Sequence, residues 1–264
     1  MIYTGLDLKK TKKDSRDFSH RKTFGSFPIH NLPDNYLLES TILNQGQTYH
    51  CTAYSACAVQ EVQEGVSFDP EWFYKQEGIV DGNPTEYGYG MRIPMKTGIE
   101  KGFKPVGGDD KDAETYKEGG YFAVDGDYDT FDNIRIAMWL ARNEKKCPMI
   151  GVMWHEEWLT NKGIVSEKKP EKEVGGHAIK CAGWKKIDGK EYLVIQNSYG
   201  TEYGDNGMFY FPRTIVNKYF VWKFMWRSVF EQSQIKTIGT IIPLLRKVVG
   251  LLSELVKITI GTFR

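Results

Sequence analysis

The chain has 264 residues, 41% of them hydrophobic and 14% aromatic, so it can bury a substantial core as one large domain or as two lobes. Its 35 lysines and arginines are balanced by 34 aspartates and glutamates, which gives a formal net charge of +1. This balance excludes nucleic acid as the main partner, because binding a polyanion requires a clear excess of positive charge.

The amino-terminal stretch MIYTGLDLKKTKKDSRDF holds no apolar run of the length that a secretory signal peptide needs. Since no such signal is encoded there, we expect synthesis in the cytoplasm. Residues 1–32 are mainly polar and charged, with only a few aromatic and aliphatic side chains. This composition predicts an irregular arm that lies over a surface rather than a domain.

The first strong helical pattern starts at Cys51. Small and apolar residues recur at helical spacing from Cys51 to about Glu64, and Gly65 supplies a stop. The polar segment NQGQTYH comes immediately before this pattern. The sequence therefore predicts a cysteine at the first position of a buried helix.

Two further helices are predicted in the first half of the chain. Asp69 followed by Pro70 is typical of an N-cap and the first helical position. A third helical pattern covers roughly Met91 to Lys101 and ends before Gly102. The first half is therefore predicted to be mostly helical.

The pattern changes after Tyr121. One more helix is predicted at about 130–142, and short apolar runs bounded by turn residues such as Asp188 and Gly189 follow it. The predicted strands are PMIGVMW, HAIKCAGW, YLVIQNS and GMFYFP. Helices followed by strands predict an α+β protein with two lobes, and the interface between two lobes is a natural place for a cleft.

A different pattern occupies the end of the chain. Apolar residues recur in steps of three and four between Ile238 and Ile260, with charged residues on the other face and Pro243 suited to the start of a helix. The charges disfavour a membrane-spanning segment. They favour a helix that binds a second copy of the chain, a partner protein or a membrane surface. A helix packed on its own domain is the alternative interpretation.

These patterns divide the chain into three parts. The arm covers residues 1–32, and the main domain covers residues 33–232, with a helical lobe to about residue 125 and a sheet lobe after it. The predicted helical tail covers residues 233–264.

The four cysteines, Cys51, Cys57, Cys147 and Cys181, are far apart and form no CxxC pair. This spacing disfavours a zinc cluster or a disulfide framework and is compatible with reduced thiols. Runs of acidic residues and lysines also lack the ligand spacing of a metal site. We therefore expect no metal and no cofactor, and we expect Cys57 and Cys181 to pack in the core.

Cys51 has the position of an activated nucleophile. A thiol attacks only as the thiolate, and its ordinary pKa of about 8.5 falls at a helix N-terminus beside an imidazolium. The carbonyl oxygen that becomes negative during the attack needs hydrogen-bond donors already in place. Gln45 offers a side-chain amide for this purpose, and Gly46 allows the tight turn that brings both groups to one cleft.

Such a nucleophile also needs a base, and His177 has the best surroundings among the five histidines. It lies in VGGHAIKCAGW, where Gly175 and Gly176 permit a substrate to approach the backbone closely. Asn197 follows 20 residues later (197 − 177) and can orient the imidazole through a hydrogen bond.

Two other histidines are weaker candidates for the base. His50 precedes Cys51 directly, and adjacent residues at a helix start point in different directions. His155, in MWHEEW, is predicted to be a surface group in a loop after a strand.

Three segments, NQGQTYHC, GGHAIKCAGW and QNSYGTEYGDNGMFYF, resemble the signature segments of papain-like cysteine peptidases. That family places its His and Asn roughly 130 to 150 residues after the Cys. Here the intervals are 126 residues (177 − 51) and 146 residues (197 − 51). The resemblance covers roughly residues 14–230. It implies a two-lobed fold with a helical first lobe, an antiparallel, barrel-like sheet in the second lobe, and a cleft between them.

Carried over by motif, the resemblance gives each residue a role. Cys51 resembles the nucleophile, His177 the general base and acid, Asn197 the residue that orients the imidazole, and Gln45 the oxyanion donor. The segment YGYGMRIPMKTGIEKGF resembles the part of the family that lines the cleft. The residues expected to border the substrate are Gly88, Tyr89, Gly90, Met91, Gly175, Gly176 and Tyr199.

The chain departs from the family pattern at several positions. Thr48 and Tyr49 stand where family members often carry Cys-Gly, so the usual nearby disulfide is not expected. Thr52 and Tyr199 stand where tryptophan is common. Tyr199 can still shield the hydrogen bond between Asn197 and His177 from water. The first 32 residues are too few for the family's usual inhibitory prodomain, so control by a full prodomain is not expected.

Three classes of function fit these residues. The first is a cysteine endopeptidase that forms an acyl-enzyme thioester on a peptide or protein substrate. The second is an amide hydrolase or transpeptidase that acts on cell-wall peptides, because these residues fix acyl transfer but not the acceptor. The third is a component of a larger assembly, such as a viral particle, in which the peptidase fold is mainly structural and the tail supplies the attachment.

Overall fold

The computed structural model describes residues 6–9, 14, 17–24, 27–84, 87–159 and 162–227. The predicted helix between Ile238 and Ile260 lies outside these residues, and so does the tail to which it belongs. Among the helices that the described ranges contain, none is long and apolar enough to cross a bilayer.

Six helices and seven strands make up the described fold. The helices are α1 (His20–Phe24), α2 (Cys51–Glu64), α3 (Pro70–Asp81), α4 (Arg92–Glu100), α5 (Thr130–Leu140) and α6 (Arg213–Tyr219). The strands are β1 (Tyr36–Leu37), β2 (Gly120–Ala123), β3 (Met149–His155), β4 (Glu173–Ile187), β5 (Lys190–Gln196), β6 (Met208–Pro212) and β7 (Phe220–Arg227).

Helix α2 has the bounds that the sequence predicts. It begins at Cys51 and ends at Glu64, and Gly65 adopts a left-handed conformation with φ of 70°. A residue without Cβ takes this conformation at little cost, so the chain turns away there. Ten of the helix residues are buried, which makes α2 the central helix of its lobe.

The neighbouring helices also follow their predicted signals. The carboxylate of Asp69 accepts a hydrogen bond of 3.0 Å from the backbone N–H of Trp72, which caps α3. Helix α4 is one residue shorter at each end than the predicted span of Met91 to Lys101. Helix α5 stops at Leu140 and is followed by a short 3-10 turn, so the predicted end near residue 142 is two residues late.

The strands form one antiparallel sheet in the order β2-β7-β3-β4-β5-β6, and β1 pairs with β4. Strands β3 to β6 correspond to the four predicted apolar runs. The sheet is open, since its path ends at β2 on one side and at β6 on the other. The combination of helices and this sheet confirms the predicted α+β class. Strands β1, β2 and β7 and helix α6 were not predicted.

The longest hairpin positions two segments of chemical interest. Strands β4 and β5 are joined at Asp188 and Gly189, which both have positive φ, as expected for the predicted turn. Strand β4 contains His177, and Asn197 follows directly after β5. Helix α2 packs against β4. The fold therefore brings the start of α2 and the centre of β4 together.

One sequence interpretation about this sheet is wrong. His155 was expected to be a surface group in a loop, but it is the last residue of β3 and only 6% exposed. Its ring packs against the rings of Trp158 and Tyr219, with ring centroids 4.8 Å and 5.2 Å away. These aromatic neighbours come from a 3-10 turn and from α6, and neither is visible in the local pattern around MWHEEW.

Candidate active site

Cys51 lies at the first position of α2 and its side chain is fully buried. The backbone N–H groups of Thr52 and Ala178 donate to its sulfur, so the thiol is held between the start of α2 and strand β4. Burial raises the pKa of the Cys51 thiol to about 12, and the nearby carboxylates of Glu77 and Asp7 act in the same direction. In this state the sulfur carries its proton.

His177 is the residue before Ala178 on β4 and is also fully buried. Its Nε2 atom lies 2.8 Å from the side-chain oxygen Oδ1 of Asn197. Its Nδ1 atom has no hydrogen-bond partner among the described residues, so no hydrogen bond joins Nδ1 to the sulfur of Cys51 in this state. Burial lowers the pKa of His177 to about 4, which keeps the imidazole neutral.

The hydrogen bonds of Asn197 determine the tautomer of this imidazole. Oδ1 of Asn197 also accepts the backbone N–H of Ser198 at 2.8 Å, so it is the amide oxygen that faces His177. An oxygen only accepts, and Nε2 of the neutral ring must therefore donate. The lone pair of the ring is then on Nδ1, the nitrogen that is ready to take a proton.

Tyr199 covers this pair of side chains. Its ring stacks on the ring of His177, with centroids 4.9 Å apart and an interplanar angle of 19°. Trp154 on β3 meets the His177 ring edge-on at 5.3 Å, a contact that the sequence analysis did not anticipate. Both aromatic side chains are almost fully buried, so bulk water is excluded from the His177–Asn197 hydrogen bond.

Gln45 is buried beside the same segment. Its Oε1 atom accepts a hydrogen bond of 2.6 Å from the hydroxyl of Ser198, and its Nε2 atom donates to the carbonyl of Thr48 at 2.8 Å. The backbone N–H of Gln45 donates to the carbonyl of Ser198 at 2.9 Å. Gly46 turns the chain with φ of 59°. The sequence analysis missed Ser198, whose only signal was its position between Asn197 and Tyr199.

The expected substrate-bordering residues form two walls of this site. Gly88, Tyr89, Gly90 and Met91 precede α4, and Gly175 and Gly176 lie on β4 just before His177. Both walls contact residues 6–9 of the amino-terminal arm, since Leu8 donates its N–H to Gly176 and Lys9 donates its N–H to Tyr89. The structure thus brings the two sets of residues to opposite sides of one cleft.

His50 is directed away from the sulfur. Its ring stacks on Tyr74 with centroids 3.6 Å apart, and its Nδ1 atom lies 3.1 Å from a carboxylate oxygen of Glu71. The hydroxyl of Thr52, the residue after the cysteine, donates to Glu77 at 2.8 Å. His177 is therefore the histidine whose surroundings suit a base for Cys51.

A sequence profile described as papain family cysteine protease matches residues 47–225, more than half of the chain. The chain belongs to the papain family of cysteine proteases. The matched range contains Cys51, His177 and Asn197, whereas Gln45 lies two residues before it.

This papain-family chain is similar over short segments to curated relatives. Cathepsin B-like cysteine proteinase 3 of Caenorhabditis elegans is 40% identical over 55 residues, which are 21% of this chain and 15% of that protein. Cathepsin B of Dictyostelium discoideum is 34% identical over 58 residues, which are 22% of this chain and 19% of that protein. The chain thus matches less than a fifth of the length of these relatives.

The likeness in three dimensions is much longer. Xylellain, a cysteine protease from Xylella fastidiosa, superimposes with a TM-score of 0.70, covering 86% of this chain and 97% of that structure at 20% sequence identity. At this identity the comparison shows the fold. The predicted papain-like two-lobed architecture is therefore confirmed.

Proposed function

We propose that this papain-family member is a cysteine peptidase that hydrolyses peptide bonds through a thioester intermediate. The observation that carries the proposal is the position of His177. Its Nε2 is bound by Asn197, its Nδ1 is left as an acceptor, and the next residue along β4 donates its backbone N–H to the sulfur of Cys51. This arrangement suits proton transfer from a thiol to an imidazole.

The first half of the reaction transfers the acyl group to the enzyme. The thiol proton of Cys51 moves to Nδ1 of His177, and the sulfur bonds to the carbonyl carbon of the substrate. The carbonyl oxygen becomes an oxyanion, for which the N–H of Cys51 and the amide of Gln45 are the proposed donors. The carbon–nitrogen bond then breaks, and the imidazolium gives its proton to the leaving amine.

The second half releases the acyl group. His177 removes a proton from water, and the resulting hydroxide attacks the thioester carbonyl. The carbon–sulfur bond breaks, the carboxylic acid leaves, and the imidazolium returns its proton to the sulfur of Cys51. The roles of His177 as base and acid need a ring with one fixed orientation, which the hydrogen bond to Asn197 and the stacked Tyr199 supply.

Transfer to an amine instead of water, as in a transpeptidase, uses the same four residues. The site chemistry fixes acyl transfer, and the acceptor depends on what enters the cleft after the first product leaves. Both acyl acceptors can be assayed with one substrate by adding a competing amine and measuring the ratio of amide to acid products.

The proposal is tested with a thiol-alkylating epoxide probe and a fluorogenic peptide. We expect the probe to label Cys51, and we expect Cys51→Ala and His177→Ala to abolish hydrolysis while the proteins stay folded. Cys147→Ala is the matched control, because Cys147 is equally buried but lies outside the site. Hydrolysis by folded Cys51→Ala at the rate of the parent chain would contradict the proposal.

A further inference from the structure

Residues 6–9, here called the strap, cross the cleft directly above the reacting groups. The N–H of Leu8 donates to the carbonyl of Gly176 at 2.8 Å, and the N–H of Lys9 donates to the carbonyl of Tyr89 at 3.3 Å. Lys9 also forms a parallel bridge with Gly90. The strap is thereby bonded to both walls of the cleft, one residue away from His177.

The side chains of the strap fill apolar space in the cleft. Leu6 and Leu8 are 8% and 4% exposed, although they come from the polar arm. At Gly151 on β3, an added Cβ would lie 2.9 Å from Cδ2 of Leu8 and 2.8 Å from Cγ of Met91. Leu8 therefore sits in a pocket that exists because residue 151 has no side chain.

The glycines of both walls allow the backbone of the strap to come close. A Cβ at Gly88 would lie 2.1 Å from the carbonyl oxygen of Asp7, and a Cβ at Gly176 would lie 2.2 Å from that of Leu8. Contacts this short are sterically forbidden, so any side chain at either position would displace the strap. The strap thus occupies the groove along which these glycine walls would admit the backbone of another peptide.

The occupied cleft seals the reacting groups. Cys51 and His177 are both fully buried, yet a substrate carbonyl has to contact the sulfur of one and water has to reach the ring of the other. Asp7 of the strap is close enough to the sulfur to help raise the pKa of the thiol. While the strap is bound, the thiol and the imidazole are therefore both neutral and inaccessible.

A second contact holds the arm after the strap. Arg92, the residue after Met91, forms an ion pair with Asp17, and its Nε atom donates to Asp17 at 2.9 Å. The hydroxyl of Ser19 donates to Asp125 at 2.7 Å. The arm is thus attached to the body of the protein within eight residues of Lys9 (17 − 9), which gives the strap a high effective concentration at the cleft.

We propose that the strap is an intramolecular inhibitor, in which residues 6–9 occupy the cleft with Leu8 in the pocket formed by Met91 and Gly151, and which must leave before a substrate binds. This regulation rests on the proposed function, since it acts on the same site. The inhibition is reversible, because the strap is held by hydrogen bonds and apolar contacts alone.

The test replaces Leu8 in the full chain. Leu8→Asp puts a carboxylate into the apolar pocket and should release the strap, whereas Leu8→Met retains an apolar side chain of similar volume and is the matched control. The first readout is the alkylation rate of Cys51 by iodoacetamide, followed by mass spectrometry of the cysteine-containing peptide. The second readout is kcat/KM on a fluorogenic peptide.

We expect Leu8→Asp to raise both the alkylation rate and kcat/KM at least tenfold over the parent chain, and we expect Leu8→Met to change either by less than threefold. Equal alkylation rates in the folded parent chain and in Leu8→Asp would overturn the inhibitor. Faster alkylation without hydrolysis would contradict the peptidase function and leave the inhibitor supported. Full hydrolysis by the parent chain, unchanged in Leu8→Asp, would do the reverse.

Hydrogen exchange of the parent chain keeps the proposal testable if Leu8→Asp does not fold. The amide of Leu8 is bonded to Gly176, so it should exchange slowly in the unmodified protein. After Cys51 is modified by a dipeptide epoxide that fills the cleft, this amide should exchange at least tenfold faster. Unchanged protection in the modified protein would show that the strap and a cleft ligand do not compete.

Discussion

Nε2 of His177 donates to Oδ1 of Asn197 across 2.8 Å, and the same oxygen accepts the N–H of Ser198. This double acceptor fixes which nitrogen of the ring carries the hydrogen, and it does so without a negative charge. An amide that holds the ring lets the imidazolium form without a fixed carboxylate beside it. The protonated ring then relies on hydrogen bonds and on the thiolate for its stabilisation.

Replacing Asn197 tests this relationship. Asn197→Ala removes a hydrogen bond to a group that becomes charged during the reaction, worth about 1.5–3 kcal/mol, so kcat/KM should fall about 10- to 100-fold. Asn206→Gly is the control, because Asn206 lies in an exposed turn with φ of 50°, which glycine adopts readily. If Asn197→Ala has the kcat/KM of the control, the orienting role is wrong.

Tyr199 is expected to act through its ring rather than its hydroxyl. Tyr199→Phe keeps the ring that stacks on His177 and should retain kcat/KM within about twofold. Tyr199→Ala opens the His177–Asn197 bond to water and should lower kcat/KM about tenfold, as expected for losing about 1.4 kcal/mol. A thermal unfolding scan of each variant separates this effect from a loss of folded protein. Equal activity of the Phe and Ala variants would contradict the shielding role.

The contrast between these residues and the strap shows what sequence patterns reach. Cys51 was placed correctly because its helix has local signals at both ends, with polar residues before it and Gly65 after it. The strap was not predicted, because Leu6 and Leu8 are two apolar residues in a polar arm and their partners on β3 and β4 are more than 140 residues away. Local periodicity carries no information about such contacts.

Two other outcomes follow the same physical division. His155 is buried by aromatic rings from a 3-10 turn and from α6, so its environment depends on tertiary packing that MWHEEW alone does not encode. Ser198 matters because a turn brings it to Gln45, 153 residues earlier in the chain. Spacing between motifs identified the candidate reacting groups, whereas the groups that position them came from the folded structure.

Ser198 provides the next prediction. Its hydroxyl donates to Oε1 of Gln45 at 2.6 Å and so orients the amide that is proposed to bind the oxyanion. Ser198→Ala removes one neutral hydrogen bond, worth about 0.5–1.5 kcal/mol, and should lower kcat about 2- to 10-fold with little change in KM. Ser198→Thr keeps the hydroxyl and is the control. A rise in KM at constant kcat would show that Ser198 supports substrate binding instead.

Lys180 offers a prediction about stability, because it lies three residues after His177 and pairs across the hairpin with Gln196, the neighbour of Asn197. Its ammonium group is fully buried and donates to the hydroxyl of Ser40 at 2.9 Å and to Oε1 of Gln196 at 2.8 Å. Burial lowers the pKa of Lys180 from 10.5 to about 8. The hydrogen bonds therefore hold the register of the two strands that position the site, at the cost of a buried charge below pH 8.

The sign of the pH effect follows from proton binding. Between pH 8 and pH 10.5 the unfolded chain keeps the Lys180 proton while the folded chain releases it, so the contribution of this group to stability rises with pH across that window. The full difference is about 3 kcal/mol. Lys180→Met removes the titration. The free energy of unfolding of this variant minus that of the parent chain should therefore fall by about 3 kcal/mol from pH 7.5 to pH 10.5. Chemical denaturation at both pH values measures it, with Lys186→Met on the same strand as the exposed control. A difference that stays constant with pH would show that Lys180 is neutral, or solvated, throughout.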